Sequence, residues 1–131
     1  MIEKFARADR FAASTGIILV ESGEGYAKAK VTLNETHLNS VGTVHGGLLF
    51  TLADFVFAVA CNSYGTIAVA INASISYFRA VKHGILFATA KEISLQRKLS
   101  DYLIEIKDEE EHLIALFQGK AYRKKEAYEV K

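Results

Sequence analysis

Two features of this 131-residue sequence can do chemistry: His45-Gly46-Gly47, and Asp54 eight positions after Gly46. Asp54 sits among Leu52, Ala53, Phe55, Val56, Phe57 and Ala58, with no Lys or Arg between residues 44 and 64. An ionised carboxylate in apolar surroundings is costly unless paired or hydrogen-bonded, and burial raises its pKa. Perturbed carboxylates of this kind serve as catalytic acids, bases or nucleophiles. The competing reading is a structural Asp held by backbone N–H groups or by Thr51. The glycines offer complementary chemistry. The first N–H groups of a helix lack intrahelical partners, and the macrodipole makes that end partially positive. Glycines there allow close approach, so a carbonyl oxygen gaining negative charge would be stabilised, as in an oxyanion hole. Close packing of a helix start against a strand would call for the same glycines.

The elements that must position these residues follow from periodicity. Ile2, Phe5, Ala6, Phe11 and Ala12 fit one face of a short helix ending before Gly16. "IILVES" reads as a strand, Gly23-Glu24-Gly25 as a turn, and "YAKAKVTL" as a second strand with half-buried alternation. Residues 34–43 are polar and read as a loop. From Val44 to Tyr64 there is no turn signal, and the run is rich in Leu, Ala and Phe, which predicts a buried helix ~30 Å long. Four strands follow, "TIAVAINASISYFRA", "ILFATAKEISLQ", "YLIEIKD" and "HLIALFQGKAYRK", broken at 82–84, 97–100 and 108–111. Short connections make antiparallel hairpins, so the expected class is α+β, a curved antiparallel sheet with a central helix on its concave face.

Composition narrows the rest. Half the residues are hydrophobic and 24% charged, enough for one core and one domain over residues 1–131. A net charge of +1 gives no support for nucleic acid or a charged membrane surface as partner. The longest apolar run, Leu48 to Cys61, contains Thr51 and Asp54 and is short of the ~20 residues that cross a membrane. The N-terminus lacks a signal-peptide pattern, so a cytoplasmic location is expected. Cys61 is the one cysteine, and His37, His45, His83 and His112 have no metal-ligand spacing; no metal is expected.

Taken together, Asn39, then Gly42-Thr43-Val44-His45-Gly46-Gly47, then Leu52-Ala53-Asp54 resembles the signature of hotdog-fold acyl-CoA thioesterases of the phenylacetate-degradation type. The element order also looks like the hotdog fold. The resemblance is strongest over residues 34–80. It implies hydrolysis of an acyl-CoA thioester to a free acid and CoA, with no cofactor. Asp54 matches the family's catalytic carboxylate, acting as general base or nucleophile, and the Gly46 N–H matches the donor to the thioester carbonyl. Asn39 and His45 match positions flanking the thioester; an Asx turn for Asn39 and a helix-start bond for His45 stay open as alternatives. Gly47 is expected to touch substrate.

Gly46 and Asp54 would lie ~12 Å apart along one helix. Both must come within a few ångströms of one carbonyl carbon, which two antiparallel copies of the helix can arrange. A homodimer is therefore expected, and similar proteins often pair further into homotetramers. Where relatives often carry a Ser or Thr on the strand after the helix, this chain has Ala70; by alternation Asn72 and Ser74 share its face and are the candidates to supply the group instead. Arg79, Lys82, Arg97 and Lys98, at strand ends, are candidates for the CoA phosphates. Phe50, Phe55, Phe57, Tyr64 and Phe78 fit either an acyl pocket or core. Two other activities compete: a non-catalytic acyl-CoA-binding module, which Ala70 favours, and an acyl-thioester dehydratase or hydratase, which the His-Gly-Gly to Asp spacing disfavours.

Overall fold

A computed structural model describes residues 2–127; Met1 and residues 128–131, which the expected domain limits include, lie outside the described residues. The sheet begins with β1 (Ile18–Gly23) and β2 (Tyr26–Thr32), joined by a hairpin in which Gly25 takes φ +70°. In β2 the alternation reads directly as burial: Ala27, Ala29 and Val31 are at most 1% exposed. The chain then crosses through the central helix α3 (Gly46–Cys61) to β3 (Thr66–Tyr77), and β4 (Ile85–Leu95), β5 (Leu99–Lys107) and β6 (Leu113–Ala127) follow. All pairings are antiparallel, and the strand order is β1-β2-β4-β5-β6-β3. This is the α+β hotdog arrangement that the resemblance implies.

One face of the sheet wraps α3. Leu86, Ala88, Ala90, Tyr102, Ile104, Ile106, Ala115, Phe117 and Ala121 point inward with no exposed surface. Phe57 of α3 seats between Tyr102 and Phe117, with ring centroids 5.7 and 5.8 Å away. Burial of each such side chain is worth roughly 1.5–3 kcal/mol. Gly119 makes room for it: a Cβ there would lie 2.8–3.0 Å from the Phe57 ring. Asn62 ends α3 and starts β3, its amide donating to the Ala58 and Ala68 carbonyls at 2.9 and 3.1 Å and accepting from Ala68 N–H at 2.9 Å. Among the described residues, no helix is long and apolar enough to cross a membrane.

Four local expectations are corrected. The N-terminal helix is two, α1 (Ile2–Arg7) and α2 (Arg10–Ser14), because Asp9 leaves the helical conformation and caps α2, its Oδ1 accepting from Ala12 N–H at 3.0 Å. The loop at 34–43 contains a 3-10 turn over Glu35–His37, capped by Asn34. Strand β5 begins at Leu99 rather than Tyr102. Finally, β3 carries a bulge between Ala70 and Asn72: Ala70 pairs with Ala121, but Asn72 pairs with Lys120. One extra residue, Ile71, shifts the alternation. Ala68, Ala70, Ala73, Ile75 and Tyr77 therefore oppose inward-facing partners, while Asn72 and Ser74 oppose the outward-facing Lys120 and Gln118.

Candidate active site

The start of α3 is built by His45. Its backbone is extended (φ −69°, ψ 134°), and its Nδ1 accepts the Gly47 N–H at 2.8 Å. A Cβ on Gly47 would lie 2.9 Å from that nitrogen, so the second glycine is what lets the imidazole cap the helix. The Gly47 N–H is thus taken up within the chain. The Gly46 N–H, one residue earlier, has no acceptor among the described residues. The entry loop is held by His45 N–H donating to the His37 carbonyl at 2.8 Å and Val44 N–H to the Val81 carbonyl at 2.7 Å. Asn39 forms the Asx turn, its Oδ1 accepting from the Val41 and Thr43 N–H groups, both at 3.1 Å.

Tyr77 completes this corner and has no counterpart among the residues expected from sequence. Its hydroxyl donates to the Gly46 carbonyl at 3.1 Å, and a Cβ on Gly46 would sit 3.1–3.2 Å from its phenol end. Only the register of β3 on β6, which sets Tyr77 opposite Ala115, brings the ring over the helix start.

Asp54 lies two turns further along α3, ~12 Å from Gly46 by helical rise. Its carboxylate has no hydrogen bond or ion pair among the described residues. Thr51, the nearest side-chain donor in sequence, donates instead to the Gly47 carbonyl at 2.7 Å. The structural reading of Asp54 therefore lacks its bonds. Burial pushes the Asp54 carboxyl above the usual aspartate range, and the Asp9 carboxylate adds to the shift. Asp54 belongs to the least buried stripe of α3, with Gly47, Phe50, Thr51 and Ala58. Beside the stripe runs β3, one edge of the sheet, with Ile71, Tyr77 and Phe78 each more than half exposed. Cys61 is no nucleophile: burial above all pushes its thiol up to about 12.

The remaining candidates separate. Asn72 and Ser74 line an outer-face groove with Ser94, Gln118 and the Asp101–Lys120 ion pair, across the sheet from α3. Their expected sharing of Ala70's face is corrected by the bulge. Arg79 and Lys82 share a groove with Asp108, Glu109 and Glu110, which offset their charge. Arg97 and Lys98 instead meet Arg123, Lys124 and Lys125 in one cleft beside Tyr122, with Glu126 the one acidic lining residue. Arg123 pins that hairpin through bonds to the Gln96 and Lys98 carbonyls, at 2.6 and 2.7 Å. The basic run at 123–125 was legible as charge; its position opposite the 97–98 turn was not. Among the described residues, no group of three or more His, Cys, Asp or Glu side chains could hold a metal ion.

Residues 41–115, which span the helix start, Asp54 and most of the sheet, match the family model of the thioesterase superfamily. The chain belongs to the thioesterase superfamily. As a thioesterase it is 39% identical over 116 residues to the acyl-coenzyme A thioesterase PaaI of Escherichia coli, covering 88% of this chain and 83% of that one. The structure of E. coli PaaI, from the phenylacetic acid degradation operon, superposes with a TM-score of 0.90 over 94% of this chain and 90% of that chain. A variant of phenylacetic acid degradation protein PaaI from Thermus thermophilus is 35% identical, with a TM-score of 0.85 over 88% of this chain and 100% of that one. Human acyl-coenzyme A thioesterase 13 is 32% identical over 87 residues, 64% of this chain and 62% of that one.

Proposed function

We propose that this thioesterase hydrolyses acyl-CoA to a carboxylic acid and CoA, at a site split between two subunits. The observation that carries the reading is Asp54, a partly buried carboxylate with no partner on the open stripe of α3. The Gly46 N–H of one subunit donates to the thioester carbonyl oxygen and stabilises its negative charge as the tetrahedral intermediate forms. The partner subunit's Asp54 takes a proton from water as that water attacks the carbonyl carbon; the thiolate of CoA then leaves and is protonated. Direct attack by Asp54 to give an anhydride is the alternative route. No cofactor is needed. His45 and Asn39 hold the loop that presents Gly46, through the bonds described above.

A second copy of the chain is the natural cover for the open stripe. The small residues Gly47, Thr51 and Ala58 let an antiparallel helix approach closely, and the unpaired edge of β3, with Ile71 and Phe78, can continue the sheet. Such pairing sets one Gly46 against the other Asp54, which a single helix cannot do. A tetramer of two such dimers, and a cytoplasmic location, complete the reading. The cleft of Arg97, Lys98 and Arg123 supports binding of the CoA phosphates by charge-assisted bonds.

The inward face of β3 beside α3 is alanine at 68, 70 and 73, so none of these three positions offers a hydroxyl to a water, which favours a binding module as the second reading. Thiol release from acetyl-, octanoyl- and phenylacetyl-CoA decides between them. Turnover by the native protein that falls at least 100-fold in Asp54→Asn supports hydrolysis; CoA affinity without release supports the module.

A further inference from the structure

His37 is the one buried histidine among the described residues, 7% exposed, and both nitrogens of its ring are engaged. Nδ1 accepts the Asn34 N–H at 3.1 Å, and Nε2 lies 2.8 Å from the Thr15 carbonyl oxygen. A carbonyl can only accept, so the ring proton is on Nε2 and the ring donates there. We propose that His37 is a positioning residue for thioester hydrolysis, anchoring to the N-terminal segment the backbone that presents the Gly46 N–H; this role rests on the acyl-CoA reading above.

The anchor acts through the main chain. The His37 carbonyl accepts the His45 N–H at 2.8 Å, and the next residue along is Gly46. Between the two histidines the chain closes on itself: Leu38 and Val44 pair in an antiparallel bridge, and the Asn39 N–H donates to the Thr43 carbonyl at 2.8 Å. A loop closed in this way carries its two arms together, so holding His37 holds His45. The His45 ring cannot do this, because it bonds only Gly47 of the helix it caps. Thr15 is itself fixed at the end of α2: its N–H and its hydroxyl donate to the carbonyl of buried Ala12 at 3.1 and 2.8 Å. The path from core to oxyanion donor therefore runs Ala12, Thr15, His37, His45, Gly46. Displacing a donor by about 1 Å costs on the order of 100-fold in rate. The loss falls on kcat, since the bond strengthens only as the carbonyl oxygen gains charge.

Two substitutions separate the two ring bonds. His37→Gln extends an amide N–H to the place of Nε2 and keeps the tie to Thr15; His37→Asn keeps an acceptor for the Asn34 N–H but is too short to reach Thr15. In the folded protein His37→Asn should lower kcat for CoA release about tenfold or more, with KM within about threefold of native. His37→Gln should retain about a third or more of native kcat. A residue that only stabilises the fold would lower the melting temperature in both and leave kcat unchanged. A kcat within about twofold of native in His37→Asn, or the reverse order of the two variants, overturns the proposal. If the native protein releases no CoA, the hydrolysis reading fails instead, and the anchor is read by nitrogen-15 NMR. The Gly46 amide signal should then move in His37→Asn and hold in His37→Gln; a signal unmoved in both overturns the anchor. Should His37→Asn fail to fold, the native ring decides: a proton on Nε2 with Nδ1 bare supports the anchor, and a proton on Nδ1 overturns it.

Discussion

His45 Nδ1 takes the Gly47 N–H at 2.8 Å, and the N–H of Gly46 between them is left without an acceptor. The two glycines have different tasks. Gly47 makes room for a cap that satisfies one orphan donor of the helix, and fixes the imidazole with Nδ1 as acceptor. Gly46 keeps its own donor open and lies beneath the Tyr77 phenol. Replacing Gly46 by Ala drives a methyl to within 3.1 Å of the Tyr77 hydroxyl, and something must move. We expect kcat to fall by 10²–10³, the loss typical of a displaced oxyanion donor. Gly46→Ala combined with Tyr77→Ala should recover part of the loss, measured by steady-state CoA release.

Asp54 is expected to trade stability for activity. Its folded pKa is raised, so its stabilising contribution is present below the unfolded value and lost as pH rises through the folded one. At neutral pH the ionised group therefore destabilises the fold. Asp54→Asn should raise the melting temperature by about 3–6 °C, an effect on the order of 1 kcal/mol, while turnover collapses. Calorimetric scans at pH 7 check the sign.

The same carboxylate sets the acid limb of the pH–rate profile. Because the reaction uses the ionised form, kcat/KM should rise with pH through the raised Asp54 pKa, above the ordinary aspartate range. Asp9→Asn keeps a good helix cap and removes the neighbouring charge, so the limb should move to lower pH. A limb that stays in place would show that Asp9 exerts no field there.

Assembly and activity should be lost together. Ile71→Lys sets a charge on the open β3 edge, a device that blocks edge pairing. Sedimentation should then show monomer where the native protein shows dimer or tetramer, with kcat reduced at least tenfold.

Gly119 offers a test independent of catalysis. A methyl there meets the Phe57 ring at 2.8 Å, so Gly119→Ala should cost about 1–3 kcal/mol by urea unfolding. Combining it with Phe57→Leu should return part of that loss.

Much of this arrangement was legible in the residues themselves. The alternation of Ala27, Ala29 and Val31 marked β2, and the long, largely apolar run from Leu48 without a turn signal marked α3, because burial on one face or all round imposes those patterns. The separation of Gly46 from Asp54, on which the proposed split site rests, was legible as a distance, since a helix of known rise cannot bring the two together. What stayed hidden depends on pairing. The apolar spacing from Ile2 to Ala12 runs straight through Asp9, whose capping bond is invisible to periodicity. The bulge at Ile71 is set by the match of β3 to β6, and it reverses the faces of Asn72 and Ser74 without any local signal such as a glycine. Tyr77 and Arg123 reach their places by the same cross-strand registers.

Strand β6 has a consequence of its own. It runs unbroken from Leu113 to Ala127, with Ala115 opposite Tyr77 at one end and Arg123 in the basic cleft at the other. The eight residue steps from Ala115 to Arg123 span about 27 Å at 3.4 Å each. The interval between the basic cleft and the helix start is therefore set along one strand, with no loop to adjust it. If that cleft holds the CoA phosphates as proposed, thioesters of truncated carriers should forfeit the cationic anchor however well their acyl groups fit.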